Sequence, residues 1–421
     1  MFKPSVFNIS VGDNVIYNSY SGAILKLSQP IADCISSCDN IDLLLEQGFI
    51  VDEKVNELNK YLVERNTAIF SRRHRGLKYV IALTNDCQAH CSYCFERGVE
   101  RSCYMSEDTV NRVLSFIKNQ AKTYEATSIQ ITYFGGEPLL NLDALKQIGI
   151  NLKQFCLDNQ IKYASNIITN GIALTKSAAI LLAEIGVNFA QITLDGTRNT
   201  YRIAKGVDAY NTVLNNIQSA VGILPIDIRL NITRDNMQDI VDLIDNLFTV
   251  HELAGQVQLT LAQVVDYVGC EFNSALCLDG TEYAKFVCGI FKDKEKAGKG
   301  SLKRMHLMPK VLRTFCGMEN CMQYVIGADG ELYKCEHSVG KQNEIVGDIN
   351  VGSYYNDLEM LFYSSIPQKC IEEVCPFLPM CLGGCANERL HNKHIRDCNQ
   401  IREKHLSLIH ISEPTRLALI S

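Results

Sequence analysis

The chain has 421 residues, too many for one ordinary domain, and 47% of them are hydrophobic, enough for a sizeable core. A formal net charge of -6 and a pI near 5.9 give no basic footprint for nucleic acid. No run approaches the roughly eighteen uncharged apolar residues of a membrane span, and Met1-Phe-Lys-Pro-Ser-Val6 lacks the apolar stretch of a secretory signal. The expected location is the cytoplasm, where eighteen cysteines imply metal sites and not a disulfide framework.

In chain order, Val6–Ile9 and Asn14–Tyr17 read as a hairpin around Gly12-Asp-Asn14. Helical stretches, the segment Gly48–Glu53 and a helical run from Asp52 to Ser71 follow. Six short apolar runs then read as strands: Lys78–Leu83, Ser128–Tyr133, Asn166–Thr169, Phe189–Leu194, Asp227–Ile232 and Val257–Gln263. Amphipathic runs between them, at Glu107–Lys122, Leu142–Asn159, Lys176–Ile185, Tyr210–Val221 and Met237–Val250, read as helices. This alternation predicts parallel strands with crossover helices, and six units suit an open (β/α)6 barrel.

Chemistry sits at the C-terminal ends of such strands. After the first comes Cys87-x-x-x-Cys91-x-Tyr93-Cys94, and after the second Phe134-Gly-Gly-Glu-Pro138. The third ends in Thr169-Asn-Gly171 and the fourth in Thr193-Leu-Asp-Gly196. A cubane cluster takes four thiolates, so three in one loop leave an iron open to a small molecule. A structural zinc site usually pairs its cysteines and adds a second pair further on.

The Cys-x-x-x-Cys-x-aromatic-Cys loop followed by Gly135-Gly-Glu-Pro138 resembles the radical S-adenosylmethionine (SAM) superfamily. The resemblance implies a [4Fe-4S] cluster on Cys87, Cys91 and Cys94, with the open iron chelating the methionine moiety of SAM. It implies a 5'-deoxyadenosyl radical as the reactive species, and a reducing partner such as flavodoxin or ferredoxin. Tyr93, Gly135, Gly136, Glu137, Asn170, Thr193 and Asp195 become the expected SAM-binding residues. The two glycines are read as letting backbone approach the ligand, and Glu137 as accepting hydrogen bonds from its ammonium. Asn-Gly and Asp-Gly are also ordinary turn chemistry, and Arg202 and Arg229 are further candidate partners for the SAM carboxylate.

Eight more cysteines fill the C-terminal third: Cys316, Cys321, Cys335, Cys370, Cys375, Cys381, Cys385 and Cys398. Eight thiolates ligate two cubanes completely, and zinc suits the same donors. Gly330-x(4)-Cys335 with Cys375-x(5)-Cys381-x(3)-Cys385 resembles the SPASM extension of radical SAM maturases, although the Cys370–Cys375 spacing is longer than usual and Cys398 follows closely. The family's interleaved pattern implies one auxiliary [4Fe-4S] cluster on Cys316, Cys321, Cys335 and Cys385. A second would sit on Cys370, Cys375, Cys381 and Cys398. Glu336 occupies the place where sulfatase-maturing relatives carry a catalytic aspartate; the other reading is an exposed acid beside a cluster. Of the remaining cysteines, Cys156 reads as a small buried hydrophobe.

The N-terminal region resembles the small winged-helix peptide-recognition modules of peptide maturases, and a plain packing extension is the other reading. Residues 406–421 look like translated sequencing-adaptor read-through in place of the true C-terminus. The expected organisation is an α/β fold: a small α+β module (1–75), a partial (β/α)6 radical SAM barrel (76–300), a cysteine-rich SPASM iron-sulfur domain (301–405) and a non-native tail (406–421). The expected function is modification of a precursor peptide or protein side chain. Its rivals are an anaerobic sulfatase maturase and a non-catalytic electron-transfer or binding protein.

Overall fold

The computed structural model describes residues 1–12, 15–27, 29–37, 40–70, 76–96, 98–99, 103–265, 273–296, 310–364 and 366–391, with Cys398, Arg402 and Leu406. Cys38, Cys270, the boundary at 300–301 and, Leu406 apart, the tail 406–421 lie outside the described residues.

The N-terminal region runs β1 (Phe2–Pro4), β2 (Asn8–Gly12), β3 (Val15–Asn18), β4 (Ile24–Lys26), α1 (Ile31–Ser37), α2 (Ile41–Glu46), β5 (Ile50–Asp52) and α3 (Glu57–Phe70). β2, β3 and β4 form an antiparallel sheet, while β1 pairs with β5. The expected hairpin is present, its first strand displaced toward the turn and its second one residue away from it, with Ile9 opposite Tyr17. Buried Glu57 at the start of α3 ties the two ends together, accepting hydrogen bonds from Ser5 Oγ at 2.7 Å and Val6 N at 2.9 Å.

The barrel follows as β6 (Gly76–Ala82), α4 (Glu107–Thr123), β7 (Ser128–Phe134), α5 (Leu142–Asp158), β8 (Lys162–Thr169), α6 (Lys176–Glu184), β9 (Val187–Thr193), α7 (Arg198–Lys205), α8 (Tyr210–Ala220), β10 (Ile226–Ile232), α9 (Met237–Thr249), β11 (Val257–Gln263) and α10 (Gly280–Lys296). All six expected strands form and pair in parallel in chain order. Their faces alternate as a strand dictates: Leu77, Tyr79 and Ile81 of β6 enter the core shared with the helices, while Val80 and Ala82 pack inside with Phe134 and Val325. Helix starts carry their own signals. Ser106 Oγ accepts from Thr109 N ahead of α4, and Thr175 Oγ1 from Ala178 N ahead of α6.

The C-terminal region adds β12 (Gln323–Ile326), β13 (Glu331–Tyr333), β14 (Gly347–Asp348) and β15 (Gly352–Ser353), then α11 (Asp357–Ser364), α12 (Gln368–Glu372), α13 (Leu378–Cys381) and α14 (Ala386–Leu390). β12 pairs in parallel with the free edge of β6, so one ten-stranded sheet joins this region to the barrel. β13 runs back antiparallel along β12, and beyond Cys335 the chain continues into Glu336 and His337, which line the same cavity as the loop after β6. Among the described residues no helix is long and apolar enough to cross a membrane.

Candidate active site

The strand-end motifs converge on one cavity of about 430 Å³, lined by residues that include Cys87, Cys91, Tyr93, Cys94, Gly135, Gly136, Asn170 and Thr193. No fourth cysteine lines it among the described residues. Arg229 lines the same cavity, as do Glu336 and His337 from the C-terminal region. Arg202, the other candidate cation, is exposed and bonds Asn199 at 3.4 Å.

The cysteine loop is held from below by backbone. Gly136 N donates to Thr84 O at 2.9 Å and Glu137 N to Asp86 O at 2.8 Å, while Cys87 N is received by Asp86 Oδ1 at 2.8 Å. A Cβ on Gly135 would strike the Thr84 carbonyl, and one on Gly136 the carbonyl of Asp86. The glycine pair therefore has a packing role beyond the one expected: it lets the end of β7 lie against the chain leading into Cys87. At its other end the loop hangs on α7, where His90 N bonds Lys205 O at 2.8 Å and Ser92 N bonds Ala204 O at 2.9 Å.

Two of the expected SAM contacts sit behind the cavity wall. Glu137 is fully buried, and its carboxylate accepts from Thr169 Oγ1 at 2.7 Å, Asn170 N at 2.8 Å and Leu139 N at 3.0 Å. Burial pushes its pKa above the ordinary range while those three donors pull it back. Glu137 thus fixes Asn170, whose side-chain amide reaches Gln88 Oε1 at 3.1 Å and Cys87 Sγ at 3.5 Å. Asp195 is likewise buried. It pairs with Lys205 Nζ at 2.9 Å and accepts from the Tyr93 hydroxyl, which itself accepts from Lys205 Nζ at 2.7 Å.

Lys205 escaped the sequence reading. Its ammonium is buried, which alone would lower its pKa, but Asp195, Cys91 and Tyr93 more than offset this and hold it raised. The only sequence signal is a lysine nine residues after the Asp-Gly196 turn, next to Gly206. Glu336 is partly buried at the cavity wall, where desolvation raises its pKa and Arg229 opposes. His337 stacks on Phe95 with centroids 4.0 Å apart, and Phe95 stacks on Phe134 at 6.2 Å. Burial, helped by Lys341, lowers the His337 pKa to about 4.

The C-terminal cysteines fall into two neighbourhoods by the charges each thiol feels. Cys335 is affected by Cys385 and Cys316, and Cys321 and Cys316 both act on Lys334. Cys370 is affected by Cys375, Cys381 and Cys398. Among the described residues no three His, Cys, Asp or Glu side chains converge as ligands of a single ion. Cys34, Cys156 and Cys288 are buried, as expected for Cys156, and Cys103 and Cys277 are partly buried.

Residues 81–247, from β6 into α9, match the family model of the radical SAM superfamily. The chain carries a radical SAM domain. A domain of this family implies SAM and a [4Fe-4S] cluster as cofactors. The radical SAM domain also carries the likeness to curated proteins. A probable GTP 3',8-cyclase of Saccharolobus islandicus is 30% identical over 170 residues, covering 39% of this chain and 51% of that protein. The radical SAM cyclopropyl synthase TigE of Paramaledivibacter caminithermalis is 26% identical over 231 residues, covering 49% and 47%. The chain spans about half the length of the curated relatives it matches. Among solved structures, anSMEcpe with bound AdoMet shares the fold at TM-score 0.61 and 17% identity, over 80% of this chain and 98% of that one. SuiB of Streptococcus suis, bound to precursor peptide SuiA, does so at TM-score 0.56 and 17% identity, over 93% and 98%. That match extends beyond the radical SAM domain over most of the chain.

Proposed function

We propose that the protein is a radical SAM enzyme that modifies a side chain of a peptide, with a ribosomally made precursor peptide as its substrate. The observation that carries this is the composition of the cavity, where the cysteine loop and the strand-end motifs share one space with Glu336 and His337. A substrate side chain placed there would meet the SAM-binding residues and the C-terminal region together. The fold likeness to SuiB, whose structure holds the precursor peptide SuiA, and to anSMEcpe, seen with a Cp18Cys peptide, supports a peptide substrate.

The residues fit a cluster with one open iron, since three thiols and no fourth line the cavity among the described residues. Cys87, Cys91 and Cys94 would hold it. When bound, the cluster and SAM supply an electron and a 5'-deoxyadenosyl radical that abstracts hydrogen from the substrate. Tyr93, Gly135, Gly136, Asn170 and Thr193 would contact SAM, with Glu137 positioning Asn170 and Asp195 positioning Tyr93 and Lys205. Glu336, a carboxylate in the cavity wall, would take the substrate proton. Cys316, Cys321, Cys335 and Cys385 would hold one auxiliary [4Fe-4S] cluster and Cys370, Cys375, Cys381 and Cys398 a second, in line with their two neighbourhoods. Electrons would come from a partner such as flavodoxin or ferredoxin, and the N-terminal module would hold the peptide's leader.

The test is anaerobic turnover of the reconstituted protein with SAM, dithionite and a short peptide encoded beside its gene. The peptide changes mass or chromatographic retention with the native protein and stays unchanged with Glu336→Gln. Turnover confined to a sulfatase-derived peptide, whose cysteine or serine becomes formylglycine, replaces this reading by sulfatase maturation. Absence of change in either peptide contradicts both.

A further inference from the structure

Arg229 lines the cavity, and the proposed function leaves it unused. It lies on β10 opposite Thr193 of β9, partly buried, and its Nε donates to Asn231 Oδ1 at 3.0 Å. Asn231 is itself fixed, its backbone carbonyl accepting from Asn236 Nδ2 at 2.9 Å. The guanidinium is therefore held by one edge, and its two terminal amino groups have no hydrogen-bond or ion-pair partner among the described residues. The nearest acid along the strand, Asp227, stands two residues earlier on the same face. Its carboxylate is already engaged, accepting from Gln191 Nε2 at 3.0 Å and Thr260 Oγ1 at 2.8 Å. The Glu336 carboxylate shares the cavity but forms no ion pair with Arg229. Water can solvate such a guanidinium in an open cavity, but a ligand that expels the water must supply an acceptor or leave a charge uncompensated. Two parallel N–H donors on a planar fork match a carboxylate.

We infer that Arg229 binds a carboxylate of the substrate, an Asp or Glu side chain or the C-terminus, and so selects peptides that carry an acid near the modified residue. The inference rests on the peptide reading above and extends it to the substrate's composition. SAM is the rival source of a carboxylate, but in the proposed assignment its methionine moiety has the open iron as its partner. Arg229 also opposes the rise in the Glu336 pKa, as a cation on the substrate's side of the cavity would. Arg229 is a specificity residue in this account, holding the substrate away from the bond that changes.

The experiment measures binding without turnover, by fluorescence anisotropy, on the anaerobically reconstituted full chain with SAM present and no reductant. The probe is the peptide encoded beside the gene, labelled at its N-terminus, together with variants in which each Asp becomes Asn, each Glu becomes Gln, or the C-terminus is amidated. Removal of one particular carboxylate is expected to weaken binding to the native protein about tenfold or more. Arg229→Gln is expected to bind the parent peptide equally weakly and to be indifferent to that same change. Parent binding by Arg229→Gln within about twofold of native overturns the inference, as does a peptide change that costs both proteins the same. Equilibrium dialysis of SAM and of decarboxylated SAM separates the rival source: Arg229→Gln is expected to bind both as the native protein does. A loss of SAM affinity that spares decarboxylated SAM assigns Arg229 to the cofactor and overturns the inference. If Arg229→Gln does not fold, Arg229→Lys decides, since it keeps the charge and loses the planar fork; undiminished affinity for the parent peptide there overturns the inference equally. A native protein that binds SAM but not the parent peptide contradicts the peptide reading itself and removes the inference with it.

Discussion

Glu137 accepts three hydrogen bonds inside the protein and exposes nothing to the cavity. Its replacement by Gln keeps the volume but turns an amide donor toward Thr169 Oγ1 or Asn170 N. A buried donor facing a donor costs about 1–3 kcal/mol, so Glu137→Gln is expected to lower the unfolding free energy obtained from urea denaturation by that amount, with Asn170 released from its position. His337 makes a prediction about pH. Its folded-state pKa of about 4 lies below the ordinary 6.5, so between those values the unfolded chain binds a proton that the folded chain does not. Stability is therefore lost as pH falls from about 6.5 toward 4. His337→Phe, which keeps a flat ring on Phe95, should flatten that part of a stability-against-pH curve; an unchanged slope assigns it to other groups. At this scale the sequence made the cysteine triplet visible, because its ligand spacing is local. Lys205 was not visible, since its meaning comes from a helix that folds back onto the loop more than a hundred residues before it.

The elements of the barrel were legible where hydrophobic period and capping agreed. β11 spans the expected Val257–Gln263, and α4 begins at the expected Glu107 behind its Ser106 cap. α7 was not legible: Arg-Asn-Thr-Tyr-Arg-Ile-Ala-Lys is eight residues long, too short for an apolar face to repeat. Nor was the pairing of β12 with β6, because four residues carry too little pattern to name a partner nearly 250 positions away. The junction of β7 with the cysteine loop is the element whose disruption is most local. Gly136→Ala puts a methyl against the carbonyls of Asn85 and Asp86, and such overpacking costs about 1–3 kcal/mol. The expected outcome is a folded protein of reduced thermal stability that loads less iron on the triplet, measured by calorimetry and iron analysis. Full loading would show that the loop tolerates the shift.

Over the whole molecule, a buried charge cluster ties the N-terminal helix α3 to the cysteine-rich C-terminal region. Glu319, with no exposed surface, lies 3.5 Å from Arg65 of α3 and 3.7 Å from Arg389 of α14, and accepts from Phe315 N at 3.0 Å beside Cys316. Arg65 also donates to Tyr363 O at 3.0 Å. Glu319→Gln leaves two buried guanidinium groups without their shared carboxylate, and breaking a buried pair this way costs about 3–5 kcal/mol. Chemical denaturation should show that loss in a single transition if the N-terminal helix, the barrel edge and the cysteine-rich region unfold together. A separate early transition would mean that they unfold independently.

The cavity gathers three cysteines, the strand-end motifs of the radical SAM domain and the Glu336–His337 corner into one space. The central claim is that the three thiols hold an iron open to SAM. Anaerobic reconstitution with dithionite and SAM, followed by chromatography for 5'-deoxyadenosine, tests it most directly. The account predicts 5'-deoxyadenosine from the native protein and none above background from Cys91→Ala at equal protein concentration. No product from a native protein with full iron content, or equal product from Cys91→Ala, would contradict it.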